Sequence, residues 1–138
     1  MKWNILAFLC YLLLITGCTD LGPKLYPVSG KIQVSGGDTS SLEGSALEIA
    51  SDTDNNIRAA GTIKADGSFV LETLQMGRMQ KGAREGSFSA RIVISDDDKA
   101  KQRAANKAVA KKYLKFDTSG WKIKVPVSSE VLLDLESK

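Results

Sequence analysis

Near its C-terminus this chain carries a pattern that suits an extended strand and not a helix. Trp121, Ile123, Val125 and Val127 are apolar, and Lys122, Lys124 and Pro126 separate them. Period-two alternation sends one set of side chains to each face of a strand, whereas a helix would scatter them. The pattern recurs. Val131, Leu133 and Leu135 repeat it after the break at Ser128-Ser129, and Phe88, Ala90, Ile92 and Ile94 repeat it upstream. The segments Tyr26–Val34, Ala46–Ala50 and Ile57–Ile63 read the same way. Asp66-Gly67 precedes Phe69-Val70-Leu71, and Asp-Gly between two strand patterns predicts a hairpin closed by a type I′ turn. Gly77, Gly82 and Gly86 space out what reads as a long loop from Thr73 to Ser87. Short amphipathic strands separated by turn residues predict a mainly β domain, an antiparallel β-sandwich of about seven strands.

One segment departs from this period. Asp96 to Lys112 is rich in Ala, Lys, Gln and Arg, and Ala100, Ala104, Ala105, Ala108 and Val109 fall at helical spacing. A helix near 97–112, inserted before the last two strands, is expected. Asp96-Asp97-Asp98 stands at its N-terminal end, where carboxylates cap free N–H groups and complement the macrodipole. Clustered carboxylates also suit calcium, but the alternating acidic positions, central glycine and closing glutamate of an EF-hand are missing, and capping accounts for the cluster. Asp52, Asp54, Asn55 and Asn56 read as a turn. Lys99, Lys101, Arg103, Lys107, Lys111 and Lys112, continued by Lys115, form a basic run. It is a candidate contact for anionic lipid head groups or an acidic polymer. Tyr113, Phe116 and Trp121 are candidates for a sugar-stacking patch, although the alternation around Trp121 assigns that residue to the core.

At the other end of the chain, Lys2 precedes the apolar run Ile5–Ile15, and Thr16-Gly17 leads into Cys18. The run is about half the roughly 20 residues that a bilayer-spanning helix needs. Charge, apolar run and small residues are the order of a secretory signal. With the cysteine, the segment resembles the lipobox of bacterial lipoproteins. The resemblance implies that residues 1–17 are a signal peptide, that Cys18 is acylated, and that residues 18–25 tether a domain spanning 26–138. More than one acyl chain is needed for stable anchoring, so lipidated Cys18 makes a membrane the first expected partner.

Composition narrows the chemistry. The chain has no histidine and two cysteines, Cys10 in the apolar run and Cys18 in the lipobox. A Ser-His-Asp or Cys-His nucleophile has no base, and zinc loses its commonest nitrogen ligand. No catalytic residue, metal site or cofactor is expected, and the chain reads as a non-enzyme. The net charge of +3 falls when Lys2 leaves with the signal, and nothing in it points to nucleic acid.

Four further motifs appear in order. Pro27-Val28-Ser29-Gly30-Lys31-Ile32 is followed by Ala65-Asp66-Gly67-Ser68-Phe69 and by Gly82-Ala83-Arg84-Glu85-Gly86. Lys112-Tyr113 with Thr118-Ser119-Gly120 closes the series. Together they resemble the carboxypeptidase-regulatory-like, or transthyretin-like, domains of planctomycete-type bacterial lipoproteins. Glu85 stands where those domains usually have proline, and Trp121 where leucine is common. The resemblance implies a prealbumin-like sandwich without catalytic residues. The expected function is that of a non-catalytic, membrane-anchored lipoprotein outside the cytoplasm, on the cell membrane or outer membrane. It would be a structural or interaction module of the cell envelope, with an envelope protein or glycan as partner. The alternative is an accessory module that binds a polysaccharide or small ligand.

Overall fold

The computed structural model describes residues 22–136, so the signal segment and Cys18 lie outside the described residues. Nine strands and one α-helix follow in order: β1 (Ser29–Val34), β2 (Ala46–Ser51), β3 (Arg58–Thr62), β4 (Ser68–Val70), β5 (Glu72–Gln75), β6 (Arg78–Lys81), β7 (Gly86–Val93), α1 (Lys99–Ala108), β8 (Lys122–Val125) and β9 (Val131–Leu135). Short 3-10 turns cover Ser40–Leu42 and Lys111–Leu114. The strands form a three-stranded sheet, β4-β1-β9, and a six-stranded sheet, β6-β5-β3-β2-β7-β8.

The alternation seen in the sequence is the alternation of burial. Phe88, Ala90 and Ile92 of β7, Leu47 and Ile49 of β2, and Ile123 and Val125 of β8 turn inward from the larger sheet. Ile32, Phe69, Leu133 and Leu135 turn inward from the smaller one, and all belong to a single apolar cluster. Trp121 is also buried, as its place in the apolar series predicts.

Two close approaches seat β4, one within its own sheet and one against β3 of the other. The ring of Phe69 lies over Gly30, where an added Cβ would sit 2.4 Å from Phe69 Cζ and 2.3 Å from the Val131 carbonyl oxygen. Likewise a Cβ on Gly61 would meet the Val70 carbonyl oxygen at 2.2 Å. Between these points β4 and β5 form one nearly continuous extended run that changes sheets at Leu71. The Leu71 N–H donates to the Val28 carbonyl, while its own carbonyl accepts from Gly82.

The architecture departs from the expected one in four respects. First, there are nine strands among the described residues rather than about seven, and the stretch read as a loop from Thr73 to Ser87 holds most of the β5–β6 hairpin. β6 is exposed at every position, so no apolar alternation announces it. Its turn is Met76-Gly77, with φ of 53° and 74°, and positive φ at both central residues is what a type I′ turn requires.

Second, Asp66-Gly67 makes a different corner. Only Gly67 of the pair has positive φ, 84°. Gly67 N–H donates to Lys64 O and Lys64 N–H donates to Ser68 O, the three-residue arrangement that ends on a left-handed glycine. The strands it joins, β3 and β4, belong to different sheets. Third, β1 and β9 pair in parallel, Gly30↔Val131 to Val34↔Leu135, so the assembly is not purely antiparallel. Parallel neighbours need a long crossover, and here the whole intervening chain supplies it. Fourth, α1 is shorter than 97–112. Asp98 caps it by accepting from the N–H groups of Ala100 (2.8 Å) and Lys101 (3.2 Å). Val109 ends it, extended at φ −90°, ψ 123°, with its side chain in the core.

Gly30→Ala should lower stability by about 2 kcal/mol, because the new methyl must displace backbone or a packed ring. The expected signature in urea denaturation is a lower midpoint with an unchanged slope.

Candidate functional site

Inward-facing residues of the larger sheet leave a complementary outward set. Between Leu47 and Ile49, Glu48 must point away from the core. Register sets it opposite Arg91 of β7 and beside Arg58 of β3. Arg91 donates through Nε to Glu48 Oε2 at 2.7 Å, with Nη2 at 2.6 Å from the same oxygen. Arg58 Nη1 takes the other oxygen, Oε1, at 3.0 Å. One carboxylate is therefore clasped by two guanidinium groups. Both lie on the ring of Phe116, with Cζ of Arg91 4.6 Å and Cζ of Arg58 5.6 Å from its centroid. A guanidinium over an aromatic face is attracted by the ring quadrupole, and these contacts fasten the segment after Lys111–Leu114 onto the outer face of the sheet.

Beside Phe116 is an open groove of about 410 Å³. Ala50 and Ser51 line it from the end of β2, Asp52 and Asn55 from the turn that follows, Ser89 and Arg91 from β7, and Lys115 and Asp117 from either side of Phe116. Asp52 Oδ1 accepts from Ser89 Oγ at 2.6 Å and from Lys122 Nζ at 2.9 Å. The Ser89 hydroxyl, and then the Lys122 ammonium, hold the Asp52 carboxyl below the usual carboxylate range. A carboxylate held low is a poor proton acceptor at neutral pH but a good fixed hydrogen-bond acceptor. The groove thus combines a half-buried ring with polar groups that Glu48, Ser89 and Lys122 already engage in part.

The candidate residues read from the sequence separate into groups. Lys101 is paired with Glu43 at 2.8 Å, and Lys112 with Glu136 at 2.5 Å. Each carboxylate holds its lysine above the ordinary range. Among the described residues Lys99 reaches Gln102, at 3.4 Å. Arg103, Lys107 and Lys111 are exposed and have no ion pair among the described residues. The basic run is thus divided, and Lys115 leaves it to line the groove. The aromatic trio divides as well. Tyr113 and Trp121 stack in the core with centroids 4.6 Å apart, and Trp121 Nε1 donates to the Asp134 carbonyl at 3.1 Å. Phe116 is the half-buried member, outside the core. Of the acidic clusters, Asp98 caps α1, Asp97 accepts from Ser95 Oγ at 3.0 Å, and Asp54 accepts from the Asn56 N–H at 2.9 Å in the turn.

Register also fixes where the basic helix lies. Ala46, Thr62 and Val93 are side by side at one end of the larger sheet, and Ala50, Arg58 and Ser89 lie near the other. α1 follows Val93, and its Lys101 reaches Glu43 just before β2, so it sits at the first end. β5 pairs through Glu72 with Ala60 and runs from there toward the second end, turning at Met76-Gly77. Gln75 Nε2 donates to the Pro23 carbonyl at 3.2 Å, so the N-terminal residues join the body at the second end too. The two ends are roughly 17 Å apart along β2.

Glu48 and its arginines were invisible as a constellation because they are far apart in sequence. The available signal was local: a lone acid between Leu47 and Ile49, and a lone arginine between Ala90 and Ile92.

Glu48→Ala should cost about 1 kcal/mol, since the pairs are partly exposed. Glu48→Ala and Arg91→Ala should combine to less than the sum of their separate effects in a thermal-unfolding double-mutant cycle.

No family model matches this chain, and no curated protein or solved structure matches it. The functional reading therefore rests on the chain's own chemistry.

Proposed function

We propose that this chain is a lipid-anchored, non-catalytic lipoprotein of the bacterial envelope, displayed outside the cytoplasm. Its two sheets would form a transthyretin-like sandwich that serves as a structural or interaction module for an envelope protein or glycan. The observation that carries this reading is Cys18, which directly follows an apolar run and the small pair Thr16-Gly17. Support comes from the short distance in sequence between Cys18 and the body, which begins to bond at Pro23 and Tyr26. The absence of histidine from the sequence supports the non-catalytic part. No helix among the described residues is long and apolar enough to cross a membrane, so the lipid on Cys18 is the attachment this reading requires.

In a bacterial host the full chain should be recovered in the membrane fraction, with acyl mass on Cys18. Cys18→Ala should accumulate as an uncut precursor. Normal maturation and unchanged membrane retention of Cys18→Ala would refute lipidation.

The Phe116 groove favours a second reading, a polysaccharide- or small-ligand-binding accessory module. Its ring, Arg91 and the fixed Asp52 carboxylate offer the contacts that sugars use. On a glycan array this reading predicts specific binding by the mature chain, reduced about fivefold or more by Phe116→Ala, as expected when one stacking contact worth about 1–2 kcal/mol is lost. Uniform absence of binding, or binding indifferent to Phe116, would remove it.

A further inference from the structure

We propose that the β5–β6 hairpin is a second membrane contact, an apolar tip that enters the interface of the phospholipid bilayer holding the Cys18 lipid. The proposal rests on the lipid-anchor reading above. Leu74, Met76 and Met79 are 68%, 61% and 58% exposed, and all three belong to this one hairpin. Leu74 and Met79 are direct cross-strand partners, so their side chains leave the same face of the sheet. Met76 is at the turn between them. No strand pairs with the outer edge of β6 among the described residues.

The turn itself argues that the methionine is there for its side chain. Met76 has φ of 53°, a left-handed conformation that glycine and asparagine adopt far more readily than an unbranched apolar residue does. Turn geometry alone would favour either of those. A methionine at this position costs backbone comfort and adds apolar surface at the most projecting point of the hairpin.

Covalent reach identifies the occupant. Five residue steps separate Cys18 from Pro23, at most about 18 Å of extended chain. Pro23 is hydrogen-bonded to Gln75, the last residue of β5. An acyl chain on Cys18 would therefore keep the hairpin within a short distance of the bilayer, and contact becomes an intramolecular event at roughly millimolar effective concentration. Arg78 and Lys81 flank the apolar trio, with Glu72 opposite Lys81 at the end of the hairpin away from the turn, and long basic side chains can leave their stems in the interface with the charge among head groups. Asp54, Glu85 and Glu130 lie on other connections at the same end of the body, which limits the contact to the hairpin. This geometry turns the basic helix, at the opposite end, away from the bilayer.

The test uses the full chain purified from a bacterial host and reconstituted in phosphatidylcholine–phosphatidylglycerol vesicles with brominated acyl chains. Met79→Trp reports on the hairpin. Leu132→Trp is the control, an equally exposed position at 58% on β9 in the other sheet, and Leu74→Trp repeats the measurement on β5. Once residues 1–17 and Trp3 with them are removed, buried Trp121 supplies the same background in each. Intact mass reports whether Cys18 carries acyl chains. In acylated protein, Met79→Trp and Leu74→Trp should lose about half their added emission, as for side chains at the head-group boundary, while Leu132→Trp keeps its emission. Unquenched Met79→Trp and Leu74→Trp in acylated protein would overturn the hairpin contact and leave the anchor standing. Unmodified Cys18 would overturn the anchor reading and this proposal with it. A blue shift without bromine quenching that grows with protein density would mean a second copy pairs along β6, and would also overturn it.

Discussion

Phe69 lying across Gly30 is the contact on which the rest of the architecture depends. β4 can pair with β1 and still send an aromatic ring inward because Gly30 leaves the ring space. One residue after β4, Leu71 bonds to Val28 and Gly82, and the same extended run continues into the other sheet as β5. A single stretch of chain thus serves both sheets, and it fixes their separation at the thickness of one shared core. A side chain at Gly30 or Gly61 would press on the strand the two sheets share and weaken its fit to both.

How much of this was legible in the sequence depends on how local each cause is. Burial alternation is local: Phe88-Ala90-Ile92 and Trp121-Ile123-Val125 could be read as strands with one inward face, and that is what they are. The start of α1 is local too, since Asp98 caps by reaching two and three residues ahead. What escaped was non-local. β6 has no buried position, so its strand state comes from β5 beside it rather than from its own pattern. Asp66-Gly67 has the composition of a hairpin turn, but composition cannot say that β3 and β4 part into different sheets. The parallel pairing of β1 with β9 joins opposite ends of the chain, which no window of residues contains.

The surface features follow the same division. The basic run was visible as a charge pattern, but its partners Glu43 and Glu136 were not. The aromatic trio was visible as a composition, and only packing divides the stacked Tyr113 and Trp121 from the half-buried Phe116. The Glu48 clasp needs two registers at once, β2 with β3 and β2 with β7. It is also what fastens the Phe116 segment over the sheet, so a core-forming strand pattern indirectly shapes the groove beside it.

The parallel pairing of β1 and β9 has a mechanical consequence. β1 is the first strand after the N-terminal residues, and it is gripped from Gly30↔Val131 to Val34↔Leu135 on one side and by β4 on the other. Tension arriving from the N-terminus first loads the bonds of Pro23 to Gln75 and of Tyr26 to Ala83, and beyond them it runs along the axis of β1. It slides β1 against its neighbours instead of lifting it away, so the hydrogen bonds of the ladder share the load simultaneously rather than breaking one after another. Pulling β1 free therefore requires its pairings with β9 and β4 to fail together.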